Sequence, residues 1–227
     1  MTYSFAMTET IDQRKTLKPG ARKLLLALES LIAEQGIDGV SSREVARAAG
    51  QKNHSALNYH FGSFEGAVEA IIEMRVEALN RRREAAISEL QQRAVKPSVR
   101  DWVRLMLEPL ADELLKAPNE RLYLNLLSQL MSRRHWRRLF LVNRARSAAL
   151  REVSNALRED LLESFDQQTV DQRLQHLGSH ILASITQWDD EITTGECSLT
   201  AAAHKQRIED LLDYFCAALC APKNGSN

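Results

Sequence analysis

The sequence predicts an all-α protein, and three observations carry that reading. Gly and Pro are scarce, nine and five in 227 residues, while Leu, Ala, Arg and Glu are plentiful; straight-chain residues and Ala lose little side-chain freedom in a helix. Apolar residues recur every three or four positions over most of the chain, the repeat of one helix face. No segment alternates apolar and polar residues as a half-buried strand would, and no internal repeat or low-complexity stretch is found.

The elements follow from the punctuation. Residues 1–18 read as a polar arm, closed by Pro19-Gly20. "ARKLLLALESLIAEQG" then places Leu24, Ala27, Leu28 and Leu31 on one helical face, with Gly36 as the stop. In "DGVSSREVARAAG", Ser41 or Ser42 can cap a short helix through Val45, Ala46 and Ala49, with Glu44 in its first turn and Gly50 closing it. After the polar turn "QKN", the run "HSALNYHF" forms a third short helix whose inward residues are Ala56, Leu57 and Phe61. Gly62-Ser63 breaks the chain, and Ser63 caps a long helix of about 64–93 with Val68, Ile71, Ile72, Val76 and Leu79 inward. Its charged second half, "NRRREAAISELQQR", is expected to be solvated.

Pro97-Ser98 begins a helix carrying Val99, Trp102, Val103, Leu105, Met106 and Leu110, which Pro109 is expected to kink or break. Pro118-Asn119 separates it from "ERLYLNLLSQLMSRR". A further helix is predicted at about 142–165, through Val142, Ala145, Ala149, Val153, Leu157 and Leu161. The last two helices are the most regular: Val170, Leu174, Leu177, Ile181, Ile185 and Trp188 in one, and Ile208, Leu211, Phe215 and Leu219 in the other.

Composition bounds the function. The formal net charge is zero, but residues 1–63 hold eight Lys/Arg against six Asp/Glu, and only four acids lie between Arg14 and Phe61. A mildly basic amino-terminal segment thus rides on a slightly acidic remainder. Three cysteines, Cys197, Cys216 and Cys220, make no disulfide framework. No stretch approaches the ~18 uninterrupted apolar residues that span a bilayer, and "MTYSFAMTET" lacks the features of a secretory signal. A cytoplasmic protein without a membrane partner is expected. No Ser/His/Asp, Cys/His, paired-carboxylate or phosphate-loop arrangement has interpretable spacing, so no enzyme is expected and no catalytic residue is assigned. His176 and His180 are four apart, but no carboxylate or Cys is placed convincingly beside them, so no metal or other cofactor is assigned either.

The stretch "NHSALNYHFGSFEG" stands apart, because it crowds polar side chains around one committed apolar residue, Leu57. Three short helices ending in this run match a helix-turn-helix. Ala46 stays small where the next helix crosses close by, and Gly50 supplies the left-handed backbone that turns the chain. Leu57 and Phe61 anchor the third helix, leaving Asn53, His54, Ser55 and Asn58 able to meet base edges. Tyr59 and His60 can reach phosphates or sugars, and Ser42 with Arg43 sits at a helix N-terminus that favours a phosphate oxygen. Lys52 completes the predicted DNA-binding set. The basic run "RRHWRR" at 133–138 is read as a solvated helix end with Trp136 turned inward, and Arg14, Lys15 and Lys18 as an arm able to touch DNA.

These residues resemble the DNA-binding segment of the tetracycline-repressor (TetR) family of bacterial transcriptional regulators. The likeness is carried by Ser41-Ser42-Arg43-Glu44-Val45-Ala46, by Ala49-Gly50, by Asn58-Tyr59-His60-Phe61 and by Ser63-Phe64-Glu65, and spans about residues 21–75. The stretch from Gly50 to His60 is one residue longer than the commonest family pattern, and Phe64 stands where the family usually has a Lys. The resemblance implies a DNA-binding helix-turn-helix domain over residues 1–62 and a larger helical effector-binding and dimerisation domain over 63–227. It further implies a homodimer that binds a near-palindromic double-stranded DNA operator, usually as a repressor released or engaged by a small molecule. A largely apolar effector is expected, in a pocket lined by Trp102, Met106, Tyr123, Leu127, Met131, Trp136 and Phe140. A dimer contact is expected through Leu174, Leu177, Ile181, Ile185, Trp188, Ile208, Leu211, Phe215 and Leu219. The alternative is the same fold controlled by a protein partner, which would lack a sizeable cavity.

Overall fold

The computed structural model describes residues 17–93, 95–117, 120–144 and 147–223, and their regular structure is all helical, with no strand among them. The expected arm residues Arg14 and Lys15, and the break at Pro118-Asn119, lie outside the described residues. In order the helices are α1 (Pro19–Gln35), α2 (Ser42–Ala48), α3 (Ala56–Phe61), α4 (Phe64–Gln91), α5 (Val99–Ala111), α6 (Leu122–Ser132), α7 (Arg134–Arg144), α8 (Ala148–Leu162), α9 (Gln167–Thr193) and α10 (Ala201–Cys220). None is long and apolar enough to cross a membrane.

Helix α1 is the floor of a three-helix unit. Leu24, Leu25, Leu28 and Ile32 are fully buried, whereas Ala27 and Leu31 of the expected stripe are only half-buried. The stripe is wider than predicted because α1 is covered on two sides, by α2 and α3 and by α4 and α6. A fully buried carboxylate, Glu29, sits among those leucines and receives a bidentate pair from Arg75 of α4, at 2.8 and 2.5 Å. Burial by itself pulls the Arg75 pKa down, but the hydrogen bonds and charge of Glu29 outweigh it and leave the pKa raised, so the guanidinium stays charged.

Helix α4 leaves this unit and crosses into the carboxy-terminal bundle, where it packs on α5, α7 and α8. Its second half corrects the expectation of a solvated rod: Leu79, Arg83, Ile87 and Leu90 are buried and continue the inward stripe. Arg83 fills an inward position because a backbone acceptor awaits it. Pro109 has no amide to donate back to Leu105, and the Leu105 carbonyl instead accepts from Arg83 Nε at 3.1 Å. Helix α5 therefore continues past Pro109 to Ala111 before tightening into a 3₁₀ turn at Asp112–Leu115, rather than breaking at the proline. Its start is fixed by a capping box in which Ser98 Oγ accepts from the Asp101 amide and Asp101 accepts from the Ser98 amide.

The helix expected over 142–165 is two. Val142 belongs to the end of α7, and a new helix, α8, begins after Ser147. The Ser147 hydroxyl caps it by accepting from the Leu150 amide and donates to Asn80 of α4 at 2.8 Å. Helices α9 and α10 pack on each other and on α5. Leu177, Ile181, Ile185, Trp188, Ile208, Phe215 and Leu219, expected to face a partner, are each at most 5% exposed within the single chain. They are core, because α5, α6 and α8 already cover that side of the pair; only Leu174 and Leu211 remain partly exposed.

Candidate nucleic-acid interface

The polar run is positioned by two turns. Helix α2 opens on a reciprocal cap, with Ser41 Oγ accepting from the Glu44 amide at 3.3 Å and Glu44 Oε2 accepting from the Ser41 amide at 2.9 Å. Hydrogen bonds from the Ser41 hydroxyl, then its amide, hold the Glu44 carboxyl below its ordinary pKa. Helix α2 closes on Gly50, whose φ of 68° lies in the left-handed region. There the Gln51 amide donates to Ala46 O and the Gly50 amide to Arg47 O, a pattern that satisfies two end carbonyls and turns the chain sharply. Val45 and Ala46 are fully buried on the side that meets α1 and α3.

Helix α3 is shorter than predicted. Asn53, His54 and Ser55 precede it, and the Ser55 amide donates to Asn53 Oδ1 at 2.9 Å, a local turn that competes with helix. Leu57 is fully buried, which contributes about 1.5–3 kcal/mol, and with Ala56 and half-buried Phe61 it seats the helix. Behind it, Gly66 of α4 could carry no side chain, since a Cβ would stand 2.2 Å from the Phe61 carbonyl oxygen. The α3–α4 junction is thus packed backbone against backbone, and its angle is fixed.

What remains faces outward. Lys52, Asn53, His54, Ser55 and Asn58 are exposed, Tyr59 is 81% exposed, and His60 is half-buried between the Tyr59 and Phe61 rings. Arg43 is exposed and Ser42 half-buried at the start of α2. Exposed Arg47, at the end of the same helix, adds a cation that sequence reasoning did not assign. One surface therefore combines amide, imidazole and hydroxyl groups with flanking guanidinium and ammonium groups. Such a surface can donate to base edges and hold phosphates on either side.

A second feature lies deeper. A small cavity of about 30 Å³ is walled by Val76, Leu79, Met106, Leu110, Tyr123, Leu127, Phe140, Leu150, Ile181 and Leu182, with Arg83 the one charged residue. Four of the seven residues expected there take part. Trp102 instead donates to Asp160 of α8 at 3.0 Å, Trp136 packs edge-on against Phe64, and Met131 lies against the core elsewhere. Ile181, expected in a dimer contact, is a cavity wall. Arg83 escaped prediction because the carbonyl that accepts from it lies on another helix.

Two helices that wall this cavity also grip the three-helix unit. Helix α4 does so through Arg75 and Glu29. Helix α6 does so through Gln129, whose amide donates to Ile32 O at 2.9 Å and accepts from the Ile37 amide at 2.7 Å. His176 and His180 lie exposed with rings stacked 6.0 Å apart, and among the described residues no group of three or more potential ligands could hold a metal.

A family model described as bacterial regulatory proteins, tetR family, matches residues 24–71, the span from α1 into α4. No curated protein matches the chain. Among solved structures, the transcriptional regulator FadR from Bacillus subtilis in complex with stearoyl-CoA is 15% identical, with 89% of this chain and 99% of that one covered and a TM-score of 0.57. NalD, the secondary repressor of the MexAB-OprM multidrug efflux pump in Pseudomonas aeruginosa, is 20% identical over 88% of this chain and 96% of that one, with a TM-score of 0.56. The fatty acid degradation regulator FadR from Bacillus halodurans is 17% identical over 87% and 96%, with a TM-score of 0.54. At these identities the likeness is one of fold, and it extends through the carboxy-terminal bundle.

Proposed function

We propose that this chain, which carries the amino-terminal DNA-binding domain of the tetR family of bacterial regulatory proteins, is an effector-responsive transcriptional repressor rather than an enzyme. One observation carries the reading: the least buried face of the three-helix unit is also its richest in base-compatible side chains, from Lys52 to Tyr59. A folded domain gains nothing in stability from an 81%-exposed tyrosine beside exposed amides; a groove reader needs them there. The boundary at residue 62 divides the reader from the regulatory bundle.

Response to an effector is supported by the shared helices. A molecule seated in the cavity displaces α4 and α6, and both hold α1. The apolar walls favour a mostly apolar body. We further assign the homodimer contact to the outward faces of α9 and α10. Ala183 and Ala217 there permit close approach, and Tyr214, 58% exposed, offers an aromatic anchor. Two reading heads joined in this way must sit about 34–36 Å apart to enter successive major grooves.

The test is a gel-shift titration against the DNA upstream of the chain's own gene. An inverted repeat with half-sites spaced by one helical turn is expected to be bound by two copies of the chain. Binding that no inverted repeat improves over arbitrary duplex contradicts the reading.

A further inference from the structure

The basic run at 133–138 lies outside the three-helix unit in sequence, yet the fold sets it against that unit. Arg133 pairs with Asp38 of the α1–α2 loop at 2.9 Å. His135 Nε2 lies 3.1 Å from Glu65 Oε1 in the first turn of α4. Trp136, 9% exposed, meets the Phe64 ring edge-on with centroids 6.2 Å apart. Two residues, Gly62 and Ser63, separate α4 from the end of α3, so α7 begins beside the carboxy-terminal end of the groove-reading helix. Asp38 precedes the Ser41 cap of α2 by three residues, at most about 10 Å of extended chain. The start of α7 thus lies near the end of α3 and the entry to α2.

Docking uses only part of the cluster. Trp136 points into the core, and Arg133 and His135 meet the two acids. Arg134, Arg137 and Arg138, three and four residues apart, share the outer face of α7 and all are exposed. We infer that this outer face is an auxiliary contact for DNA, in which the three guanidinium groups bind backbone phosphates flanking the bases read from α3; the inference rests on the DNA-binding reading above. Guanidinium matches a phosphate with two parallel hydrogen bonds and carries no base preference. The contact adds affinity and salt dependence and leaves sequence choice to α3.

The experiment follows fluorescence anisotropy of the full chain on two labelled duplexes, one with the upstream inverted repeat and one of arbitrary sequence, across a salt series. The variant is Arg134→Gln/Arg137→Gln/Arg138→Gln, with Arg134→Lys/Arg137→Lys/Arg138→Lys beside it and helicity checked by circular dichroism. For the glutamine variant, the slope of log affinity against log salt becomes shallower by about 0.9 for each phosphate that is no longer neutralised. Both duplexes weaken by the same factor, so their ratio holds, and the lysine variant recovers most of the slope. Unchanged slopes on both duplexes overturn the inference while leaving the DNA-binding reading intact, as does a weakening confined to the inverted repeat. A wild-type chain that binds neither duplex overturns both.

Discussion

Asn58→Ala combined with Tyr59→Ala is expected to abolish preference for the operator while leaving the fold unchanged. Both side chains are exposed, so their removal creates no cavity. The backbone bond from the Gly62 amide to Asn58 O, which closes α3, survives the change. Removing one side chain that reads a base costs about 1–3 kcal/mol of discrimination, and in a homodimer every substitution acts in both half-sites. Loss of the Asn58 base contact in both half-sites should therefore lower specific affinity by at least about 30-fold, whereas arbitrary duplex, which loses only the phosphate or sugar contact of Tyr59, should weaken far less. Competition gel shifts measure both, and an unchanged far-ultraviolet spectrum establishes the fold. Operator affinity equal to wild type would show that α3 is not the reading element.

The second large effect is on stability. Glu29→Leu leaves the Arg75 guanidinium, whose side chain is only 22% exposed, without its bidentate carboxylate. Breaking one side of such a pair costs about 3 kcal/mol or more. For a chain of this length that lowers Tm by roughly 6–12 °C, at about 2–4 °C per kcal/mol. Adding Arg75→Met should recover most of the stability, since an apolar pair of similar volume tolerates the same site. Thermal unfolding of the two single variants and the double gives the coupling directly. Additive effects would mean that the pair does not join α1 to α4 energetically. The same series bears on regulation, because α1 carries the reader and α4 walls the cavity.

What the sequence made legible divides along physical lines. Helix periodicity, Ser caps and positive-φ glycines are local, and so α2, the Gly50 turn and the anchor Leu57 were all readable. Asn58 and Tyr59 were readable as exposed because a polar side chain on a short amphipathic helix has only one way to go, and Lys52 to Ser55 because they form the polar turn before it. Contacts distant in sequence were not. Arg83 is buried by a carbonyl that Pro109 frees 22 residues from it, and "NRRRE" alone cannot reveal an acceptor on another helix. Glu29 likewise reads as a surface acid until Arg75 is brought beside it. Apolar stripes on α9 and α10 say that a face is covered, not by what; Ile185 and Phe215 are covered by their own chain. Tyr123, Leu127 and Phe140 line the small cavity, while Trp136 is drawn to Phe64 instead.

The central claim is that the exposed flank of α3 enters the major groove, and guanine methylation interference on the upstream inverted repeat tests it most directly. Guanine N7 lies in the major groove and adenine N3 in the minor groove, so the two adducts report on different sides of the duplex. Methylation at N7 within each half-site is expected to block binding of the wild-type chain, and those positions should cease to matter for the Asn58→Ala/Tyr59→Ala variant. Interference confined to adenine N3, or N7 adducts that leave binding untouched in both half-sites, would contradict the account.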